Sequence, residues 1–311
     1  MTRTAVIALG GNAILQPGQR GTLAEQQANI RAASVQIARL ILDGYRVVLT
    51  HGNGPQVGNI LIQNEEARFV VPPMPLDVCG AQSEGMIGYL FQQELQKLTG
   101  RAAVSLVTQV VVDAADPAFT HPTKPVGPFY TPDKAHQMMA TQGWIMKEDA
   151  GRGWRRVVPS PQPKRVVEVD AIRRLVDADV LVIACGGGGV PVMETPEGLV
   201  GVEAVIDKDL AAQKLAREMG ADLLVILTDV PRVCINFGLP NQQALSQVTV
   251  SEAERYLDEG HFKPGSMKTK VQGAIRFLRE GGERAVIASL AEAVSAVQGQ
   301  AGTQLLPDSE P

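Results

Sequence analysis

The sequence predicts an α/β protein with a mainly parallel open sheet, on three observations. Short β-branched runs recur at Ala5 to Leu9, Arg46 to Thr50, Val180 to Ala184, Leu223 to Thr228 and Ala285 to Ala288. Each is followed by glycine or polar residues and then by a helix-period pattern, the alternation expected of parallel strands joined by covering helices. The runs are apolar at consecutive positions, Val180-Leu-Val-Ile-Ala184 above all, so the sheet is expected to be buried on both faces.

Length and composition bound the rest. A chain of 311 residues, 45% of them hydrophobic, can bury a sizeable core as one large domain or two lobes. Its net charge of -4 and pI near 5.7 argue against a nucleic-acid partner, which needs basic surface to displace counterions, and favour a small molecule. Cys79, Cys185 and Cys234 are far apart, odd in number and form no C-x-x-C pair, which argues against a disulfide framework and a zinc site and for a reducing compartment. No apolar stretch is long enough to span a membrane, and the apolar run after Met1 is short and ends at Gly10-Gly11. It is therefore expected to be a buried first strand rather than a signal segment, and the cytoplasm is the expected location.

Helix boundaries follow from capping chemistry. Thr22 with Glu25 and Ser251 with Glu254 fit capping boxes, Thr131-Pro132 puts proline at a first helical position, and Gly44 closes the helix before the second strand. From about Ala114 to Pro163 the rhythm breaks into a stretch rich in Pro, Gly, Trp and charge, too long for a simple connection and expected to be an inserted subdomain or lid. The tail after Gly299 reads as polar and frayed.

In an open parallel sheet ligands sit at the carboxyl ends of the strands. Three of those positions are glycine-rich: Gly10-Gly11-Asn12, His51-Gly52-Asn53-Gly54 and Gly186-Gly187-Gly188-Gly189. Without Cβ atoms such loops bring backbone N–H groups close to an anion, and the following helix terminus adds positive potential. One glycine pair is equally well explained by a tight strand-to-helix turn, but three on one sheet edge point to phosphate or carboxylate. Neither G-x-x-x-x-G-K-[ST] nor G-x-G-x-x-G occurs.

Phosphoryl transfer asks a protein to align two oxygens and to neutralise charge on the transferring group. A lysine about 4 Å away is worth roughly 4 kcal/mol at an effective dielectric near 20, so converging lysines suit the task. Lys208, between Asp207 and Asp209, Lys124, in Pro122-Thr-Lys-Pro125, and Lys268 or Lys270, after Gly265-Ser266-Met267, are the candidates; each read alone is as well explained as a solvated surface charge. The competing chemistries have less support. His51, His121, His136 and His261 lack ligand spacing. Ser83 lies in only a partial nucleophile-elbow pattern, Trp144 and Trp154 fit packing within the insertion, and Cys185 and Cys234 fit buried apolar fillers.

Together the blocks Ala8-Leu-Gly-Gly-Asn-Ala13, His51-Gly-Asn-Gly-Pro-Gln-Val-Gly-Asn59, Pro122-Thr-Lys-Pro125, Glu148-Asp-Ala-Gly-Arg-Gly-Trp-Arg155, Cys185-Gly-Gly-Gly-Gly189, Ile206-Asp-Lys-Asp209 and Pro264-Gly-Ser-Met267 closely resemble the carbamate kinases of the amino-acid kinase fold group. The resemblance implies a three-layer α/β/α sandwich with a protruding subdomain, and a homodimer. It implies an enzyme of two lobes: residues 1–175 hold the carbamate and phosphoryl site with a lid at about 114–163, and residues 176–311 bind the nucleotide. The implied reaction is ATP + carbamate = ADP + carbamoyl phosphate, run toward ATP in nitrogen-compound catabolism such as that of arginine, with Mg²⁺ held mainly on ATP or ADP and no dedicated metal ligands. By motif, Lys124, Lys208 and Lys270 resemble the lysines on the transferring phosphoryl and Asp209 the carboxylate that organises them. Gly10, Gly11, Asn12, Gly52, Asn53 and Gly54, with Gly187 and Gly188, correspond to substrate and phosphate loops, and Thr228, Asp229 and Met267 to nucleotide-binding segments. Related kinases often carry lysine where Asn12 stands, so the resemblance implies that Lys124 on the lid delivers the missing charge.

Overall fold

The computed structural model of the chain describes residues 3–149, 151–263 and 267–308. Ala150, and Pro264 to Ser266 of the block ending at Met267, lie outside the described residues. The chain opens with β1 (Thr4–Leu9), α1 (Leu23–Leu42), β2 (Arg46–His51), α2 (Gly54–Ala67), α3 (Leu76–Thr99), β3 (Ala103–Ser105) and β4 (Gln109–Val112). An excursion follows through β5 (Lys124–Tyr130), α4 (Pro132–Gln142), β6 (Met146–Glu148) and β7 (Trp154–Val158). The chain returns through β8 (Pro163–Val166), α5 (Val169–Asp177), β9 (Leu181–Ile183), β10 (Val190–Thr195), β11 (Gly198–Gly201), α6 (Lys208–Met219) and β12 (Leu223–Thr228). It ends with β13 (Cys234–Ile235), β14 (Gln243–Ala244), β15 (Gln247–Thr249), α7 (Val250–Asp258), α8 (Met267–Arg279), β16 (Arg284–Ser289), α9 (Ala293–Val297) and β17 (Thr303–Leu306).

Eight strands form the main sheet in the order β15-β17-β16-β12-β1-β2-β9-β3. Every pairing is parallel except β16 with β17. Because successive side chains of a strand point to opposite faces, β1 serves two cores. Val6 and Ala8 pack with Ile172 of α5, Leu215 of α6 and Phe277 of α8. Ala5, Ile7 and Leu9 pack with Ile37 of α1, Phe91 of α3 and Ala296 of α9. This is the three-layer α/β/α sandwich, and the all-apolar strands in the sequence follow from burial on both faces. The sheet crosses residue 175 without a break, since β9 lies between β2 and β3.

The irregular stretch is a small subdomain with a three-stranded antiparallel sheet, β5-β7-β6, covered by α4. Trp144 and Trp154 pack inside it, Trp144 edge-on to Tyr130 and beneath Arg156, and Trp154 against His136. Gly127 of β5 sits over Gly58 of α2, where the subdomain rests on the body. Thr22 with Glu25 is a capping box, Thr131 caps α4 with Pro132 in its first turn, and Gly44 follows α1 at φ +96°, as expected.

Two expectations are corrected. The capping box of α7 is Thr249 with Glu252, while Ser251 is one residue inside the helix and bonds Asp308. The tail after Gly299 is not frayed through its described length: β17 fills the gap between β15 and β16. Its polar residues are buried because their hydrogen bonds are met inside. Thr303 Oγ1 donates to Leu245 O and accepts from Val233 N, and Gln304 Nε2 donates to Ala296 O and Ala301 O.

Candidate active site

Four neighbouring parallel strands, β12, β1, β2 and β9, deliver their carboxyl ends to one edge of the sheet, and each carries a segment singled out from the sequence. After β1, Gly10 donates its N–H to Leu227 O at 2.9 Å and Gly11 begins a short 3-10 turn. After β2, Gly52 donates to Leu9 O at 3.0 Å. The two loops touch: a Cβ on Gly52 would lie 3.0 Å from Gly11 N and 3.5 Å from Lys208 Cδ, so only glycine lets them close around the lysine stem.

Lys208 and Asp209 open α6. Asp207 caps the helix, its Oδ1 accepting from Asp209 N at 3.0 Å, while its Oδ2 accepts from Lys124 Nζ of the inserted subdomain at 3.0 Å. One oxygen of Asp209 accepts from Lys208 Nζ, and the other accepts from Lys270 Nζ, in the first turn of α8, at 2.9 Å. Asp209 is 3% exposed and holds two ammonium groups together, an arrangement that would be strongly repulsive without it. Lys270 is the inward lysine; Lys268 is half-buried and is tied through its backbone to Lys263 O.

The electrostatics follow the geometry. Burial would push the Asp209 carboxyl up, but Lys208 and Lys270 outweigh it and hold it below its ordinary value. Burial lowers the Lys208 ammonium and Lys270 adds to the shift, with Asp209 opposing. A cleft of about 490 Å³ opens in front of the two lysines, lined also by Gly10, Gly11, Asn12 and Asp229. Asn12 Nδ2 donates to Asp229 Oδ2 at 3.3 Å, and Thr228 Oγ1 donates to Asp229 Oδ1 at 3.0 Å.

Gly52 touches the Lys208 stem, and Asn53, which follows it, packs against the tetraglycine turn. Gly187 and Gly188 have φ +68° and +106°; a Cβ on the first would overlap the Asn53 amide and one on the second the Ile206 carbonyl. Gly54 begins α2 beside Asn53. Met267 packs against the core at the start of α8 and does not line the cleft. The structure thus gathers Gly10, Gly11, Asn12, Lys208, Thr228, Asp229 and Lys270 at the cleft, with Asp209 holding the lysines, Lys124 joined through Asp207, and Gly52 and Asn53 leading from Lys208 to Gly187; Met267 and Lys268 do not line it.

Three features were not legible beforehand. Asp207, read as a carboxylate beside Lys208, also caps α6 and bonds Lys124 of the inserted subdomain. Ser83 is no nucleophile: it is buried within α3, where its hydroxyl accepts from Asn53 Nδ2 at 2.8 Å and donates to Gly80 O at 2.7 Å. His51 and Glu84 are buried behind the tetraglycine turn, both within reach of a Cβ placed on Gly186. Burial depresses the His51 imidazole to about 4, so it is neutral at neutral pH, and burial drives the Glu84 carboxyl well above its ordinary value. The thiols expected as fillers differ: Cys185 is buried, while Cys234 is only half-buried.

The model of the amino acid kinase family matches residues 3–289. A carbamate kinase of Pyrococcus horikoshii is 53% identical over 314 aligned residues, covering 99% of this chain and 100% of that one. A carbamate kinase of Thermococcus kodakarensis is 55% identical, covering 98% and 99%. Among solved structures, carbamate kinase from Giardia lamblia bound to AMP-PNP superposes with a TM-score of 0.94 at 47% identity, covering 98% of this chain and 99% of that one.

Proposed function

The chain belongs to the amino acid kinase family, and we propose that it is a carbamate kinase, transferring a phosphoryl group reversibly between ATP and carbamate. The observation that carries this reading is Asp209 holding Lys208 and Lys270 side by side at the cleft, with Lys124 arriving from the lid on the adjacent Asp207.

In the direction of ATP formation, an oxygen of the ADP β-phosphate attacks the phosphorus of carbamoyl phosphate, and the bond to the carbamate oxygen breaks. No proton need be moved and no covalent enzyme intermediate formed; the protein's task is alignment and charge stabilisation. Lys208 and Lys270 neutralise the oxygens of the transferring group. Asp209 fixes their positions before substrate arrives, so little reorganisation is needed at the moment of reaction. The N–H of Gly11 and the start of α2 at Gly54 provide further donors to anionic oxygens, while the Gly10 N–H, bonded to Leu227 O, fixes the loop that carries them. Thr228 and Asp229 border the nucleotide side, with Met267 supporting the start of α8. Gly52, Asn53, Gly187 and Gly188 border the acceptor side. Residues 1–175 then serve mainly the acceptor and residues 176–311 the nucleotide. Lys124 supplies charge on the acceptor side when the lid, residues 114–163, lies over the cleft.

A magnesium ion fits this site chiefly through the nucleotide. Asp209 is taken up by two lysines and Asp207 by Lys124 and a helix N–H, and no group of three or more His, Cys, Asp or Glu side chains converges among the described residues. Held on ATP or ADP oxygens, with water-mediated reach to Asp207 or Asp209, Mg²⁺ would supply further neutralisation of phosphate charge.

A homodimer is supported by exposed Val78, Met86 and Tyr89 on α3 and by Leu199 and Val200 on β11, which Gly201 brings against Asp77 of α3. Three free cysteines favour the cytoplasm, where carbamoyl phosphate from arginine or another nitrogen compound would be used to make ATP. No described helix is long and apolar enough to cross a membrane. The test is ATP formation from ADP with carbamoyl phosphate, beside phosphorylation of N-acyl amino acids by ATP. Turnover confined to the latter would replace carbamate with a larger acid.

A further inference from the structure

We propose that Ser83 is a positioning residue that fixes the Asn53 amide so that its oxygen accepts a hydrogen bond from the amino group of the acceptor, selecting carbamate over isosteric acids. This inference rests on the carbamate reading and adds the basis of its selectivity.

The argument begins with one oxygen pair. Ser83 Oγ lies 2.7 Å from the carbonyl oxygen of Gly80, a separation tolerated only with a hydrogen between them. A carbonyl cannot donate, so the single hydroxyl proton of Ser83 is committed to Gly80. Toward Asn53, 2.8 Å away, Ser83 can then only accept. The Asn53 atom facing it must be Nδ2, and the amide orientation follows from donor and acceptor capacity alone.

Asn53 Oδ1 is thereby turned away from Ser83. The amide is held in place by packing, because Gly187 offers no side chain and its Cβ position is already filled by the Asn53 amide. Among the described residues, no donor is recorded for Asn53 Oδ1, and the residue is only half-buried. Its neighbour Gly52 abuts the Lys208 side chain and the Gly11 backbone, and neither Gly52 nor Asn53 lines the cleft that Thr228 and Asp229 border. A fixed acceptor therefore stands one residue from the glycine that touches the transferring lysine, outside the lining of the nucleotide-side cleft.

Carbamate and acetate differ there by an amino group against a methyl group of similar size. An N–H satisfies Oδ1, whereas a methyl group leaves it without a donor in a closed site. A site built to bond a substrate N–H discriminates against its apolar isostere far better than shape alone can.

The test is the ratio of kcat/KM for carbamoyl phosphate to that for acetyl phosphate, each with ADP, in the wild type, Ser83→Ala, Asn53→Ala and the double variant. With Ser83→Ala, the expected result is a ratio at least about tenfold lower, carried by KM for carbamoyl phosphate, with KM for ADP unchanged. Asn53→Ala should lower the ratio as much, and the double variant should add nothing, because both act through one bond. Ratios unchanged in either single variant, or two losses that multiply, overturn the proposal, as does equal loss on both phosphoryl donors. If Ser83→Ala fails to fold, Asn53→Ala alone decides. Absence of carbamoyl phosphate turnover in the wild type would remove the underlying reading instead, a result distinct from all of these.

Discussion

Lys124 Nζ reaches Asp207 Oδ2 across 3.0 Å, joining the first residue of β5 in the inserted subdomain to the cap of α6. The same aspartate orients the backbone of Asp209 through its other oxygen, so subdomain position and lysine alignment share one side chain. Lys124→Ala is expected to lower kcat for ATP formation on the order of 10-fold to 10²-fold while ADP affinity stays near wild type. Steady-state kinetics with calorimetric ADP binding check this; an equal loss of ADP affinity would put Lys124 on the nucleotide side.

Asp209→Ala removes the carboxylate shared by the Lys208 and Lys270 ammonium groups and leaves a half-buried and a buried like charge facing each other. Breaking such a buried arrangement costs about 3–5 kcal/mol, so a clear fall in Tm is expected together with loss of turnover. Asp209→Ala with wild-type thermal stability would mean that the network is solvated rather than preorganised.

His51 and Glu84 give opposite pH dependences. His51 has a folded value of about 4, below its ordinary 6.5, so between these pH values only the unfolded chain binds its proton and stability rises with pH. Glu84 is raised well above 4.5 by burial, so from 4.5 up to its folded value only the folded chain keeps the proton and stability falls with pH. In the wild type the two slopes offset each other. Glu84→Gln is expected to unmask a rise of up to about 1.4 kcal/mol per pH unit between pH 4 and 6.5, read by urea unfolding. No change in slope would mean that Glu84 is ionised in the fold.

Gly187→Ala introduces a side chain at φ +68° in space that Asn53 occupies. The backbone alone costs about 1–2 kcal/mol. A rise in KM for carbamoyl phosphate larger than that for ADP is expected, since the displaced residue is Asn53; the reverse pattern would place the turn on the nucleotide side.

Much of this was legible in the sequence because it is local. The apolar runs behind β1, β2, β9, β12 and β16, the Thr22 and Thr131 caps and the glycine loops each declare themselves within a few residues. What escaped depends on distant partners. The buried polar residues of β17 read as a solvated tail because their acceptors, such as Leu245 O, belong to another segment. Ser251 with Glu254 and Thr249 with Glu252 share one spacing, and only the path of the chain at β15 decides between them. The role of Ser83 needed Asn53, 30 residues away, and the docking role of Asp207 needed Lys124, 83 residues away.

The most direct test of the central claim is ATP formation from ADP, Mg²⁺ and carbamoyl phosphate by the wild type and by Lys208→Ala, with ADP binding measured in parallel. The account predicts turnover in the wild type and a kcat lower by on the order of 10²-fold or more in the variant, with ADP still bound. Wild-type protein without turnover, or a Lys208→Ala variant close to wild type, would contradict it.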